Sequence, residues 1–138
     1  MEWMLLPYRR YAEFSGRSRR KEFWMFALFC FLVGLAIDIV FGNPAYERFG
    51  WHVSVATTLT GTGGVLRGLF NLASFVPAIA VATRRLHDID RSGWWQLLMF
   101  IPLLGWIVLL VFYCLDSNSG PNRFGPDPKE RGTADVFR

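Results

Sequence analysis

The sequence predicts an all-α integral membrane protein with three transmembrane helices, an N-terminal interfacial amphipathic helix and a Gly/Pro-rich C-terminal tail. Three observations predict it. Three apolar runs, Phe23 to Phe41, Val65 to Thr83 and Trp94 to Leu115, are 19, 19 and 22 residues long. As helices they extend roughly 28 to 33 Å, against a hydrocarbon core of about 30 Å. Hydrophobic residues make up 52% of the 138 and charged residues 19%, with a mean hydropathy of +0.25, a balance tilted from soluble domains toward membrane proteins. Finally, the ten residues Arg84 to Gly93 read Arg-Arg-Leu-His-Asp-Ile-Asp-Arg-Ser-Gly between two of the runs, as a tight charged hairpin between spans would.

The chain divides as one membrane domain over 1–138. Residues 1–21 are a basic leader, in which Pro7 suits the first turn of a helix and Leu5, Tyr8, Tyr11 and Phe14 recur every three residues while Arg9 and Arg10 face elsewhere. The first span, 22–41, has no small-x-small cleavage pattern near Ala36 to Asp38, so it reads as a retained signal anchor. Its interior from Met25 to Ile37 lacks the polar stripe that a soluble three-helix bundle needs. In the loop from Gly42 to Gly64, Asn43-Pro44 signals a turn and Gly61-Thr62-Gly63-Gly64 a flexible approach to the next span. Those glycines lack the Lys and the strand-to-helix context of a phosphate loop. A fourth short helix around His52 to Leu59 is an alternative there. The second span, 65–83, carries Arg67, Asn71, Ser74 and Pro77. In the third, 94–115, Pro102 and Gly105 interrupt the pattern; a kinked span is expected over a re-entrant segment, because each half would be short. The tail, 116–138, contains Gly120-Pro121-Asn122-Arg123-Phe124-Gly125-Pro126-Asp127-Pro128, which forms neither regular helix nor strand.

The net charge of +4 is an N-terminal feature, since Met1 to Lys21 holds six Lys or Arg against two Glu, whereas Asp116 to Arg138 holds four of each sign. Nucleic acid is not expected as a partner, because little soluble chain remains to display a basic surface; anionic lipid is. Lys and Arg in the short flanks favour a cytoplasmic N-terminus in a multi-pass arrangement, with three spans placing the tail outside. Cys30 and Cys114 fall inside apolar runs without metal-site spacing and read as inert. No metal or cofactor is expected.

Three groups of residues are candidates for function. Asp38, near the end of the first span, and Arg67, near the start of the second, lie at similar depths on one side of the membrane, where a charge is costly unless paired. An intramembrane clamp of Asp38, Arg67 and Asn71 follows, with a proton or cation site at Asp38 as the functional alternative. On the opposite side, Glu22, His87, Asp88 and Asp90 form a charge network with the arginines: Glu22 to Arg84 or Arg85, and Asp88 or Asp90 to the cluster from Arg17 to Lys21. As exposed bridges each would contribute only about 0–1 kcal/mol. Third, Arg17, Arg20, Arg84, Arg85 and Arg91, with Trp24, Trp94 and Trp95 at belt level, could hold a lipid phosphate bidentately. His87 beside Asp88 invites general-base chemistry, but no nucleophile or second His completes a site. Ser92 reads as a helix cap instead, and no catalytic residue is assigned.

Four ordered motifs are shared with a known family. Phe14-Ser15-Gly16-Arg17-Ser18-Arg19-Arg20-Lys21-Glu22-Phe23-Trp24, then Arg84-Arg85-Leu86-His87-Asp88 followed by Arg91-Ser92-Gly93-Trp94-Trp95, then Ile101-Pro102 with Gly105, then Asn122-Arg123-Phe124-Gly125-Pro126-Asp127-Pro128 make the chain resemble the domain-of-unknown-function 805 family of small bacterial inner-membrane proteins. The resemblance implies a bacterial inner-membrane protein of a few helices and no particular activity. The functional expectation is therefore a small, non-enzymatic inner-membrane protein with a basic cytoplasmic face for anionic lipid or a partner protein, including a second copy as a homo-oligomer. An oligomeric small-solute or ion transporter is the alternative, and a membrane-surface enzyme using His87 and Asp88 the third reading.

Overall fold

A computed structural model describes residues 2–41 and 62–129. Among them the chain is helical without strands: α1 (Glu2–Arg9), α2 (Arg20–Phe41), α3 (Thr62–Asp88), a 3-10 helix (Gly93–Phe100) and α4 (Leu104–Cys114). The expected turn at Asn43-Pro44 and the alternative helix at His52 to Leu59 lie outside the described residues.

α2 and α3 form an antiparallel pair, held close at both ends. Gly63 sits so near the end of α2 that a Cβ there would come within 2.9 Å of the Phe41 Cβ, and Glu22 at the start of α2 lies 3.1 Å from Arg84 near the end of α3. Their 22 and 27 residues make helices of about 33 and 40 Å, and both are long and apolar enough to cross a membrane. α2 leaves Phe31 63% and Ile39 73% exposed, which is the surface of a helix solvated by lipid and not of one in a soluble core.

α3 is longer at both ends than the expected span from Val65 to Thr83. Arg84, Arg85, His87 and Asp88 occupy its last turn instead of a loop, so the charged hairpin shrinks to the few residues after Asp88. The stop is chemical as well as steric. Asp90 adopts a left-handed conformation with φ of +58°, while Arg91 N donates to Leu86 O (2.9 Å) and Asp90 N to His87 O (3.1 Å), the paired bonds of a Schellman terminus. Buried Leu86 and Ile89 hold this end in the core.

The third apolar run is not one helix. After the 3-10 helix the chain turns at Ile101–Leu103, where Pro102 supplies no N–H and Leu103 is forced to a φ of +63°. It then returns as α4. The two arms pack on each other: Trp95 and Phe112 meet edge to face at 5.4 Å, and Trp106 Nε1 donates to Met99 O at 2.9 Å. Gly105 is required at the turn, because a Cβ there would overlap the Leu98 carbonyl. With 8 and 11 residues at about 2.0 and 1.5 Å per residue, both arms are about 16 Å long. Both outer ends of this hairpin lie beside the C-terminus of α3.

The leader also differs from expectation. α1 begins before Pro7, so the proline is buried inside the helix and not in its first turn. Tyr11 and Phe14 come after the helix ends and, like Leu5, are exposed; the three-residue repeat is not a helical face. Tyr8 instead points inward, edge-on to Phe26 (5.4 Å) and Phe29 (6.0 Å), with its hydroxyl 2.5 Å from Ser74 Oγ. Tyr11 Oη donates to Ala73 O at 2.9 Å. That carbonyl is the one Pro77, four residues on, leaves without its helical N–H.

Candidate functional site

The ends of α3 and α4 and both flanking segments meet in a buried knot of charge centred on Asp88. Its carboxylate accepts from Arg17 Nε (3.0 Å) on Oδ1 and from Arg85 Nη1 (2.9 Å) and Ser117 Oγ on Oδ2. Asp88 and both arginine side chains are at most 1% exposed. Buried ions are stable only when nearly every donor and acceptor is matched, and here they are. Arg17 also donates to the carbonyls of Asp88 (3.2 Å), Asn118 (2.6 Å) and Gly120 (2.7 Å).

These arginines work as helix C-caps. The last carbonyls of a helix lack intrahelical partners and carry the negative end of its dipole. At the end of α3, Arg84 O accepts from Ser18 N (3.1 Å), His87 O from Asn122 Nδ2 (2.9 Å) and Asp88 O from Asn118 N (3.2 Å) as well as from Arg17. At the end of α4, Arg85 donates to Phe112 O (3.4 Å), Tyr113 O (3.3 Å) and Leu115 O, and Arg20 to Cys114 O (3.0 Å). The leader and the tail are thereby stitched to the same helix ends.

The expected bridges meet differently from one another. Glu22 Oε1 lies 3.1 Å from Arg84 Nη2, both buried, but without hydrogen-bond alignment: among the described residues the Arg84 nitrogens, Glu22 Oε1 and Ser18 Oγ have no hydrogen-bond partner. Asp88 takes Arg17 from the leader. Asp90 takes Arg123 of the tail (3.1 Å) and not the leader. The expectation that these pairs are exposed is corrected for Glu22 and Asp88, both of which are buried, Asp88 beneath Ser117 and Asn118 of the tail.

The lipid-binding arginines likewise divide. Arg17, Arg84 and Arg85 are enclosed and unavailable to a lipid phosphate. Arg20 is half-exposed, bonded to Cys114 O and 3.2 Å from Asp116. Arg91 faces outward, stacked at 5.4 Å over Trp95; Trp24 and Trp94 are exposed. His87 and Asp88 do not work together. The His87 ring stacks on Phe124 at 3.8 Å with Nδ1 3.2 Å from Gly16 O, while Asp88 is occupied by the arginines. Ser92 caps the 3-10 helix, accepting from Trp94 N at 3.4 Å.

At the far ends of α2 and α3, Arg67 Nη1 is 2.6 Å from Asp38 Oδ2. The guanidinium lies across Gly34, where a Cβ would overlap it. Asn71 is exposed and, among the described residues, makes no hydrogen bond to either.

Sequence reasoning missed the tail as a structural partner. Ser117, Asn118, Asn122 and Phe124 all touch the last turn of α3. The one signal was the Asn122 to Pro128 motif, whose Gly125 (φ +140°) closes a turn through paired Asn122–Gly125 backbone bonds of 3.1 Å. Outside the helices, the half-exposed Asp116 carboxyl is pulled down to about 2, first by the Lys129 ammonium and then by the Ser117 N–H.

Two helices long and apolar enough to cross a membrane, closed at one end by buried charge, define a helical membrane protein. The chain belongs to the family described as protein of unknown function (DUF805), which it matches over residues 11–126. It is 45% identical over 129 residues to inner membrane protein YhaI of Escherichia coli (strain K12), covering 94% of this chain and 97% of that one. To inner membrane protein YhaH of the same strain it is 43% identical over 133 residues, covering 94% and 98%. No solved structure matches.

Proposed function

We propose that this is a non-enzymatic protein of the bacterial inner membrane with two spans, α2 and α3, and a re-entrant hairpin made of the 3-10 helix and α4. Both termini are cytoplasmic, and the basic face they build meets anionic lipid. One observation carries the reading: Arg85 and Asp88, at the end of α3, bind Leu115 O and Asn118 N beyond the end of α4, so the run between them leaves and returns at one level. Arms of about 16 Å reach halfway through a core of about 30 Å.

Charge supports the same arrangement. Segments 1–21, 84–93 and 116–138 carry thirteen of the fifteen Lys and Arg, and the loop 42–64 carries only Arg48, a stronger inside bias than three spans allow. Asp38 with Arg67 then clamps the periplasmic ends of α2 and α3, and the buried knot holds the cytoplasmic ends.

Reporter fusions at the C-terminus test it. A fluorescent protein that matures only in the cytoplasm should be bright there, and alkaline phosphatase inactive. An active phosphatase fusion would overturn the two-span reading and restore three spans.

A further inference from the structure

The face of α3 toward the hairpin is a groove, and its two walls follow from two helical periods. On α3, Phe75, Ile79, Thr83 and His87 recur every fourth residue and form one ridge. On the 3-10 helix, Trp94, Leu97 and Phe100 recur every third residue, which in that helix stacks them in one line. Between the ridges lies a cavity of about 830 Å³, the size of a ligand pocket. Its floor is fixed. Gln96 Nε2 donates to Thr83 Oγ1 at 2.6 Å, and Gly93 approaches so closely that a Cβ would stand 2.7 Å from Thr83 Cγ2. The walls remain open: Phe75 is 60%, Trp94 78% and Phe100 76% exposed.

The shape of the groove names its occupant. From Phe75 to His87 it runs about 18 Å along the helix, close to the roughly 15 Å of one hydrocarbon leaflet. Its deep end, at Phe75 and Phe100, is wholly apolar. The upper end turns polar at His87 and Ser92; Arg91 directly precedes Ser92 in the chain, stacked over Trp95 and Phe112, and Arg123 lies 4.7 Å over the Phe124 ring that stacks on His87. Asp90, paired with Arg123, leaves the mouth a surplus of positive charge. Two further groups bear on His87 from the leader: Gly16 O, and Phe14, which lines the top of the groove.

We infer that this groove is a binding site for one acyl chain of an anionic phospholipid, with the phosphate at the level of Ser92 between Arg91 and Arg123. The inference rests on the proposed re-entrant hairpin, which puts the mouth at the cytoplasmic headgroup level and opens the groove sideways to the bilayer.

Native mass spectrometry of delipidated protein tests it, with phosphatidylglycerol and phosphatidylcholine of identical chains as probes. One phosphatidylglycerol per chain should bind at a concentration about tenfold below that for phosphatidylcholine. Filling the groove with Ile79→Trp and Leu97→Trp should abolish that binding while helix content by circular dichroism stays unchanged. Arg91→Gln with Arg123→Gln should reduce phosphatidylglycerol to the phosphatidylcholine level with chain binding intact. Three results would each overturn the site: equal binding of the two lipids to the unaltered protein, retention of lipid by the filled groove, or displacement of lipid by inorganic phosphate alone. A dimer that excludes lipid would assign the groove to a second copy and equally overturn it. Lipid retention and the C-terminal reporter are independent readouts. A failed topology moves the reporter, whereas a failed groove leaves the reporter in place and changes only the lipid count.

Discussion

Asp88→Asn isolates what the buried knot contributes. The substitution keeps size and shape but removes the charge facing Arg17 and Arg85, whose side chains are at most 1% exposed. Asn offers one acceptor oxygen where the carboxylate served three side-chain donors, so at least one guanidinium loses its partner without regaining water. Breaking one side of a buried pair costs about 3–5 kcal/mol, a large part of the roughly 5–15 kcal/mol that holds a domain together. The internal control stands two residues on. Asp90→Asn makes the same charge change in the pair with Arg123, whose side chains are 61% and 48% exposed, and there the cost is about 0–1 kcal/mol; Asn also tolerates the left-handed backbone at that position. In detergent, thermal unfolding followed by circular dichroism should show a drop of about 10 °C or more for Asp88→Asn and no more than about 3 °C for Asp90→Asn. Equal shifts for the two would refute the claim that burial, and not charge count, sets the strength of this end of the molecule.

The carbonyl that Pro77 leaves open makes a second prediction. Tyr11→Phe should cost about 1 kcal/mol in the native background and clearly less when combined with Pro77→Ala, which restores an N–H to Ala73 O; additive effects in the double-mutant cycle would disprove the link. Gly34→Ala pushes the Arg67 guanidinium off α2 and away from Asp38, at a cost of about 1–3 kcal/mol. In an Arg67→Leu background the same change should cost much less, as read from the unfolding midpoint. Asp116 supplies the pH test. Because its folded pKa is depressed to about 2 from 3.8, the Lys129 contact is fully formed above about pH 4 and is lost as pH falls through about 2. The carboxyl carbon shift in NMR should titrate with a midpoint near 2, and a midpoint near 3.8 would remove the contact.

Local features of the sequence carried much of this structure. The length of the apolar runs marks α2 and α3 because lipid solvation requires an uninterrupted helix. Depth counting from the ends of those helices also puts Asp38 and Arg67 at one level. Pro102 and Gly105 mark a break in the third run, but whether such a break kinks or reverses a helix depends on close packing of Gly105 on the Leu98 carbonyl, a contact with no local signature. The arginines were the hardest to read. A guanidinium suits phosphate and backbone carbonyl alike, and the carbonyls that hold Arg17 and Arg85 belong to residues far away in the chain, identified by position and not by type. Pro7 misled for the opposite reason, since a strong local preference for the first turn was outweighed by burial of that residue against the spans.

Arg17 bonds the carbonyl of Gly120, 103 residues later. On a ribosome adding about 5–20 residues per second, roughly 5 to 20 s separate the synthesis of the two. Until then the guanidinium lacks its carbonyl partners in the tail and must stay hydrated, so the leader is held at a water-facing surface while the rest of the chain is made. The knot closes only when the tail emerges. A chain truncated before Gly120 would therefore keep its leader unfastened, and should be cut there by added protease faster than the full-length protein.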